Sequence, residues 1–216
     1  MTNEMPLSGY TVLDLTQARA GPTAVRLLSD WGARVIRVVP PPRLAEDLSE
    51  KSEPDSQNLH RNKRGLSLNL KSEKGREIFM ALAKQSDVVV ENFRTDVKHR
   101  LGVDYESVAA VNPAIVYASI SGFGQTGPYA SRPGVDQITQ GTSGLMSVTG
   151  KPGGGPMRVG IAISDTSAGM FLGQGILQIT FHRTSHWPGP VLRIVALFHK
   201  EISGLYIQLQ TNFFAF

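Results

Sequence analysis

The chain has 216 residues, 41% of them hydrophobic and 19% charged, a balance typical of a folded, soluble domain and unlike that of disordered or fibrous proteins. It contains no cysteine, which excludes disulfide frameworks, thiol nucleophiles and cysteine metal sites, so no metal is expected. The net charge is +4, with 16 basic and 13 acidic groups in the first hundred residues against six and five in the rest. That distribution suits a small anionic ligand better than a nucleic-acid duplex, which calls for a concentrated basic face.

No apolar run reaches the roughly 20 residues of a membrane span, and the first residues lack the pattern of a signal or transit peptide. A cytoplasmic protein is the expectation.

Residues 10–15 (YTVLDL) read as a strand, 16–22 as a turn of small residues, 23–31 as a helix ended by Gly32, and 34–39 (RVIRVV) as a second strand. The strands are continuous apolar runs, as in a parallel sheet covered on both faces. Residues 40–55 begin with three prolines and continue in mixed charges, so they read as a connection without assigned structure. A strand at 66–70, a helix at 73–85 and a buried strand at 87–90 follow. A short helix at 105–111 and a strand at 114–120 (AIVYASI) complete about five strands alternating with helices. A doubly wound, mostly parallel α/β sheet is the simplest account.

From Ser121 the sequence becomes SGFGQTGPYASRPG, a long loop whose glycines let a ligand come close to the backbone. Residues 137–149 read as helical, 151–156 as a glycine turn, 159–163 as a short apolar segment and 166–177 as a helix.

Asp165 is the only formally charged residue between Val159 and His182. Position alone favours a helix N-cap, yet a carboxylate among small, apolar neighbours is also suited to attack an activated acyl group. The first strand-to-helix turn, TQARAGP, places helix amides where a phosphate could bind, although it is no G-x-G-x-x-G fingerprint. Two basic groups, Arg61, Lys63, Arg64 and Lys71, then Arg94, Lys98 and Arg100, flank predicted strands and could hold phosphates at strand ends. The histidines form no metal-ligand pattern, and no serine lies in G-x-S-x-G, so a serine hydrolase is set aside.

Six segments in order and spacing, PLSGYTVLDLTQARAGP, GARVIRV, NKRGLSLNL, DVVVENFR, IVYASISGFGQTGPYASRPGVD and GIAISDTSAG, resemble the family III CoA-transferases. The resemblance covers residues 6–177, about four-fifths of the chain. It implies a large Rossmann-like domain binding coenzyme A, with acyl-CoA and a small carboxylic acid as substrates. It also implies a homodimer and a second, smaller domain, which is expected to be missing here. Asp165 matches the aspartate of the family's G-x-x-x-x-D motif, which attacks the thioester and becomes an aspartyl-CoA intermediate.

CoA contacts carried over by the resemblance are Arg19 and Ala20 at the first turn, and Leu68, Asn69, Leu70 and Lys71 after the basic cluster. Asn92, Phe93, Arg94 and Arg100 follow, then Arg132, Pro133, Gly134, Val135 and Asp136. The related α-methylacyl-CoA racemases carry G-H-D where this chain has Gly134, Val135 and Asp136, and valine cannot move a proton. Val39-Pro40 also departs from the family, which often has an acidic residue there. The tail, 178–216, departs from the family's continuation and reads as an insertion or an altered reading frame. A non-catalytic CoA-binding remnant is therefore the alternative to an active transferase.

Overall fold

Valine, leucine and isoleucine dominate the interior strands, and alternate residues of each face opposite sides of one sheet. In this computed structural model, residues 4–41 and 54–185 are described, together with residues 192–193, 197–198 and 205–206. The sheet comprises β1 (Thr11–Asp14), β2 (Arg34–Val39), β3 (Lys63–Ser67), β4 (Val88–Glu91) and β5 (Val116–Ser119). Its order is β3-β2-β1-β4-β5, with every pairing parallel. A two-residue strand, β6 (Leu192–Arg193), lies parallel to β5, and β7 (Leu197–Phe198) pairs antiparallel with β8 (Leu205–Tyr206).

Two helices cover one face, α1 (Ala20–Asp30) and the long α7 (Ile163–Ser185). Ala168, Leu172, Ile176 and Ile179 form a stripe at helical spacing on α7, and pack with Ala24, Val25 and Leu28 against Val12, Val35, Val90 and Ala118. Gly169 and Gly173 allow the close approach. A Cβ at Gly169 would collide with the Ala20 carbonyl oxygen and lie 2.8 Å from Thr23 Cβ, while one at Gly173 would lie 3.3 Å from Leu27 Cδ1.

The opposite face holds α3 (Glu73–Ala83), α4 (Thr95–Leu101) and α5 (Tyr105–Val111), whose Phe79, Ala83, Leu101 and Val108 pack against Leu13, Val89 and Tyr117. The doubly wound reading is thus met residue by residue: Val88 and Val90 face one core, Val89 the other. Among the described residues, no helix is long and apolar enough to cross a membrane.

Several boundaries differ from the sequence reading. The third strand lies at Lys63–Ser67 instead of 66–70, because it pairs in register with β2 and draws Lys63 into the sheet. Two polar helices, α2 (Pro54–His60) and α4, were not expected from the sequence. The helix expected at 137–149 is α6 (Asp136–Thr142) followed by a 3-10 turn (Leu145–Val148), with the break at Gly144, whose φ is +81°. The helix expected at 166–177 is α7, which runs unbroken through residue 177, so a boundary between 177 and 178 falls inside a helix. The proline-rich connection lies largely outside the described residues, at 42–53, as does most of the tail.

Candidate active site

In an open parallel sheet, ligands bind beyond the carboxyl ends of the strands where the strand order reverses, here between β1 and β4. The loops after β1, β4 and β5 and the first turn of α7 meet there around an open crevice of about 140 Å³.

Two buried ion pairs fix the loops. Asp14, at the end of β1, accepts the Thr16 N–H at 2.9 Å and the Thr16 hydroxyl at 2.5 Å through Oδ1, while Oδ2 pairs with Lys63 Nζ at 3.0 Å. Burial pushes the Lys63 ammonium down from its ordinary pKa, against the pull of Asp14. Glu91, at the end of β4, pairs with Lys98 Nζ at 2.9 Å and accepts the Phe93 N–H at 2.8 Å. Lys98 also donates to Ser119 at the end of β5. Asn92 then clamps the first loop, accepting the Gln17 N–H at 2.9 Å and donating to the Gln17 carbonyl at 2.7 Å. This locked loop holds Ala18 at φ +58°, a left-handed conformation that a non-glycine residue rarely adopts.

Asp165 stands in the first turn of α7, on the crevice wall. It is the helix's third residue and so does not serve as the N-cap that its position in the sequence suggested. Its carboxylate makes no hydrogen bond or ion pair with the described residues. Burial raises its pKa above the ordinary carboxylate value, the Asp136 charge adds to the rise, and Arg19 opposes it. The capping comes from Asp136, whose Oδ1 accepts the Ser164 N–H at 2.9 Å.

The crevice brings together many of the residues singled out in the sequence. Arg19 and Ala20 line it at the first turn, Asn92, Phe93 and Arg94 after β4, and Arg132, Pro133, Gly134 and Val135 in the long loop. Arg19 is held by Asp55, from Nη1 to Oδ1 at 3.1 Å and from Nη2 to Oδ2 at 2.5 Å. Arg132 lies over the Tyr129 ring, 4.1 Å from its centroid. Arg94 makes no hydrogen bond or ion pair through its side chain with the described residues.

Six others are not on its walls. Leu68 is buried in the core under α3 and Leu70 packs partly against it. Asn69 and Lys71 are exposed at the carboxyl end of β3, two strands away from β1. Arg100 is exposed on α4 and pairs with Asp96. Asp136 lies behind the wall, engaged by Ser164 and Gln140. Of the two basic groups read as phosphate holders, Lys63 and Lys98 are buried in ion pairs and Arg61 pairs with Asp30.

A family model described as CoA-transferase family III matches residues 7–214. The chain belongs to CoA-transferase family III. It is 40% identical over 190 residues to a succinate–glutarate CoA-transferase from Agrobacterium fabrum, covering 82% of this chain and 47% of that protein. It is 42% identical over 184 residues to an acetyl-CoA:oxalate CoA-transferase from Acetobacter aceti, again covering 82% and 47%. The crystal structure of a CAIB/BAIF family protein from Brucella suis superposes with a TM-score of 0.79 at 35% identity, covering 88% of this chain and 52% of that one. The chain thus spans about half the length of the relatives it matches.

Two features of this family III chain were not read from its sequence. Ser121 and Ser164 are among the residues lining the crevice, and their hydroxyls are buried with no hydrogen-bond partner among the described residues. Gln140 is fully buried and ties α6 to the approach of α7, accepting the Val159 N–H at 2.8 Å and donating to Asp136 at 2.8 Å. For Ser164 the available signal was its place beside Asp165. For Gln140 there was none, because two of its three partners, Val159 and Ile161, are 19 and 21 residues away.

Proposed function

We propose that this protein transfers coenzyme A from an acyl-CoA thioester to a free carboxylic acid, with Asp165 as the nucleophile. The observation that carries the reading is a half-buried carboxylate, without a hydrogen-bonding partner, on the wall of a crevice at the strand-order reversal of a family III chain. A carboxylate that is weakly solvated and not neutralised by a neighbouring cation is a stronger nucleophile than a paired one.

In the first step an Asp165 oxygen attacks the thioester carbonyl. The C–S bond breaks, the sulfur leaves with the electron pair, and a mixed anhydride remains. The thiolate then attacks the Asp165 carbonyl, releasing the acyl group as a carboxylate and leaving an aspartyl-CoA thioester. The acceptor acid repeats the sequence in reverse, so CoA leaves on the new acid and Asp165 is restored. No net proton is consumed.

Arg19, Arg94 and Arg132 around the crevice supply positive charge for CoA and the acid, and the named relatives make dicarboxylates such as glutarate or oxalate the substrate class to try first. A homodimer in the full-length form and a cytoplasmic location belong to the same reading.

Mass spectrometry of the intact protein incubated with acyl-CoA is the test. Protein carrying covalently bound CoA, lost in Asp165→Ala, supports the reading. Exchange of CoA between acids that survives Asp165→Ala sinks it.

A further inference from the structure

A buried hydroxyl without a hydrogen-bonding partner is costly, and native proteins rarely retain one without a use. Ser164 is 4% exposed, sits one residue before Asp165, lines the crevice and leaves its Oγ unpaired among the described residues. Its backbone N–H is held by Asp136, so the residue is fixed in place while its hydroxyl is not used by the fold. Ser121, two residues past the end of β5, is another residue lining the crevice, and its Oγ is also buried and unpaired among the described residues. The residues around this crevice thus include two unsatisfied donors and one unsatisfied carboxylate, Ser164 and Asp165 from the first turn of α7 and Ser121 from the loop after β5. An acyl group in the crevice would offer its carbonyl oxygen as an acceptor to the hydroxyls and its carbonyl carbon to the carboxylate.

Resting on Asp165 as nucleophile, we infer that the Ser164 hydroxyl, assisted by that of Ser121, donates a hydrogen bond to the oxygen of the acyl group under attack. When the Asp165 oxygen adds to the thioester carbon, the carbonyl electron pair moves onto that oxygen, and the hydroxyl stabilises the negative charge without giving up its proton. As the C–S bond breaks, the carbonyl reforms and the hydrogen bond weakens. A donor whose backbone is fixed by the fold and whose hydroxyl has no other partner suits the electrostatic stabilisation of a transient oxyanion.

Thr180 provides an internal control. It lies on the same helix, is 6% exposed and also has an unpaired hydroxyl, but it faces a small apolar pocket near Leu7, Tyr10 and Ile176. Removing either hydroxyl relieves an unsatisfied group, so neither Ser164→Ala nor Thr180→Val should lower the melting temperature. A structural role for Ser164 would predict the opposite.

The experiment compares Ser164→Ala, Ser121→Ala, Thr180→Val and Asp165→Ala in the intact protein, using acyl-CoA with glutarate or oxalate as the acceptor. Ser164→Ala is expected to lower kcat by roughly 100-fold with KM little changed, as for loss of one oxyanion donor. Ser121→Ala should lower it in the same sense, Thr180→Val should keep wild-type kcat, and the melting temperatures of all three should be unchanged or higher. Full activity in Ser164→Ala, or a loss of kcat matched by a fall in melting temperature, overturns the inference while leaving the nucleophile assignment intact. Activity surviving in Asp165→Ala instead overturns the reading on which the inference rests.

Discussion

The Asp136 carboxylate accepts the Ser164 N–H at 2.9 Å, so a residue on α6 caps the helix that carries Asp165. Its other oxygen accepts from Gln140 at 2.8 Å, and Gln140 in turn holds the Val159 N–H and the Ile161 carbonyl. One cluster therefore fixes both the approach to α7 and its first turn. The same carboxylate places a negative charge near Asp165 and contributes to its raised pKa.

Geometry and charge at Asp136 are separable. Asp136→Ala removes both, and should cost about 1 kcal/mol of stability, the usual loss when a helix cap is deleted. Asp136→Asn keeps an oxygen acceptor for Ser164 while removing the charge. It is expected to keep the cap while losing the Gln140 hydrogen bond, and to move the acid limb of the activity profile to lower pH, because Asp165 then ionises more readily. Thermal melts and pH–rate profiles of both variants check this; an acid limb unmoved in Asp136→Asn would contradict the assigned coupling.

The Asp165 pKa also predicts a stability effect whose sign can be worked out. In the folded protein Asp165 is raised above 3.8, so the native state binds more protons than the unfolded state between that value and the folded pKa. Stability therefore falls as pH rises through this window, and the cost is complete above the folded pKa. Asp165→Asn should melt at a higher temperature than wild type near pH 7. The gap should close as the pH is lowered towards 3.8. Equal melting temperatures at pH 7 would show that the carboxylate carries no burial cost.

Beneath the first loop, the Lys63 and Asp14 side chains are 1% and 0% exposed. Removing one partner of such a pair leaves a buried charge uncompensated, at a cost of about 3–5 kcal/mol. Lys63→Met is thus expected to be severely destabilising, and Lys63→Met with Asp14→Asn to recover much of the loss, since asparagine can still accept from Thr16. Urea unfolding measures both. A mild effect of Lys63→Met would return this lysine to the role of a surface phosphate holder.

The sequence made the interior strands legible because β1, β2, β4 and β5 are buried apolar runs whose type does not depend on partners. The third strand was displaced because KRGLS, at the edge of the five-strand set, owes its state to pairing with β2 rather than to its own hydrophobicity. Helices α2 and α4 escaped because each has seven residues and buries only one, Leu59 and Lys98 respectively. At the site, Asp165 was visible as an isolated charge, but its cap was not, because Asp136 is 28 residues from Ser164. Lys63 and Lys98 looked like free cations because their carboxylate partners come from other segments of the chain, Asp14 on β1 and Glu91 on β4. Wherever a partner was distant in sequence, composition showed the residue and concealed its use.

Arg94 gives the last prediction. Among the crevice arginines, Arg19 is paired with Asp55 and Arg132 rests on Tyr129, whereas Arg94 is exposed and makes no hydrogen bond or ion pair through its side chain with the described residues. If the crevice holds coenzyme A, its phosphates should draw on Arg94 more than on its neighbours. Coenzyme A at 100 times its Kd should raise the stability of the protein by about 2.7 kcal/mol. A tenfold loss of affinity in Arg94→Ala would lower that gain by roughly 1.3 kcal/mol at the same ligand concentration. The difference should shrink as salt is added, since an exposed cation is screened. Thermal melts with and without coenzyme A, at low and high salt, measure all three quantities. An equal shift in Arg94→Ala and wild type would place the phosphates away from β4, towards Asn69 and Lys71 at the end of β3.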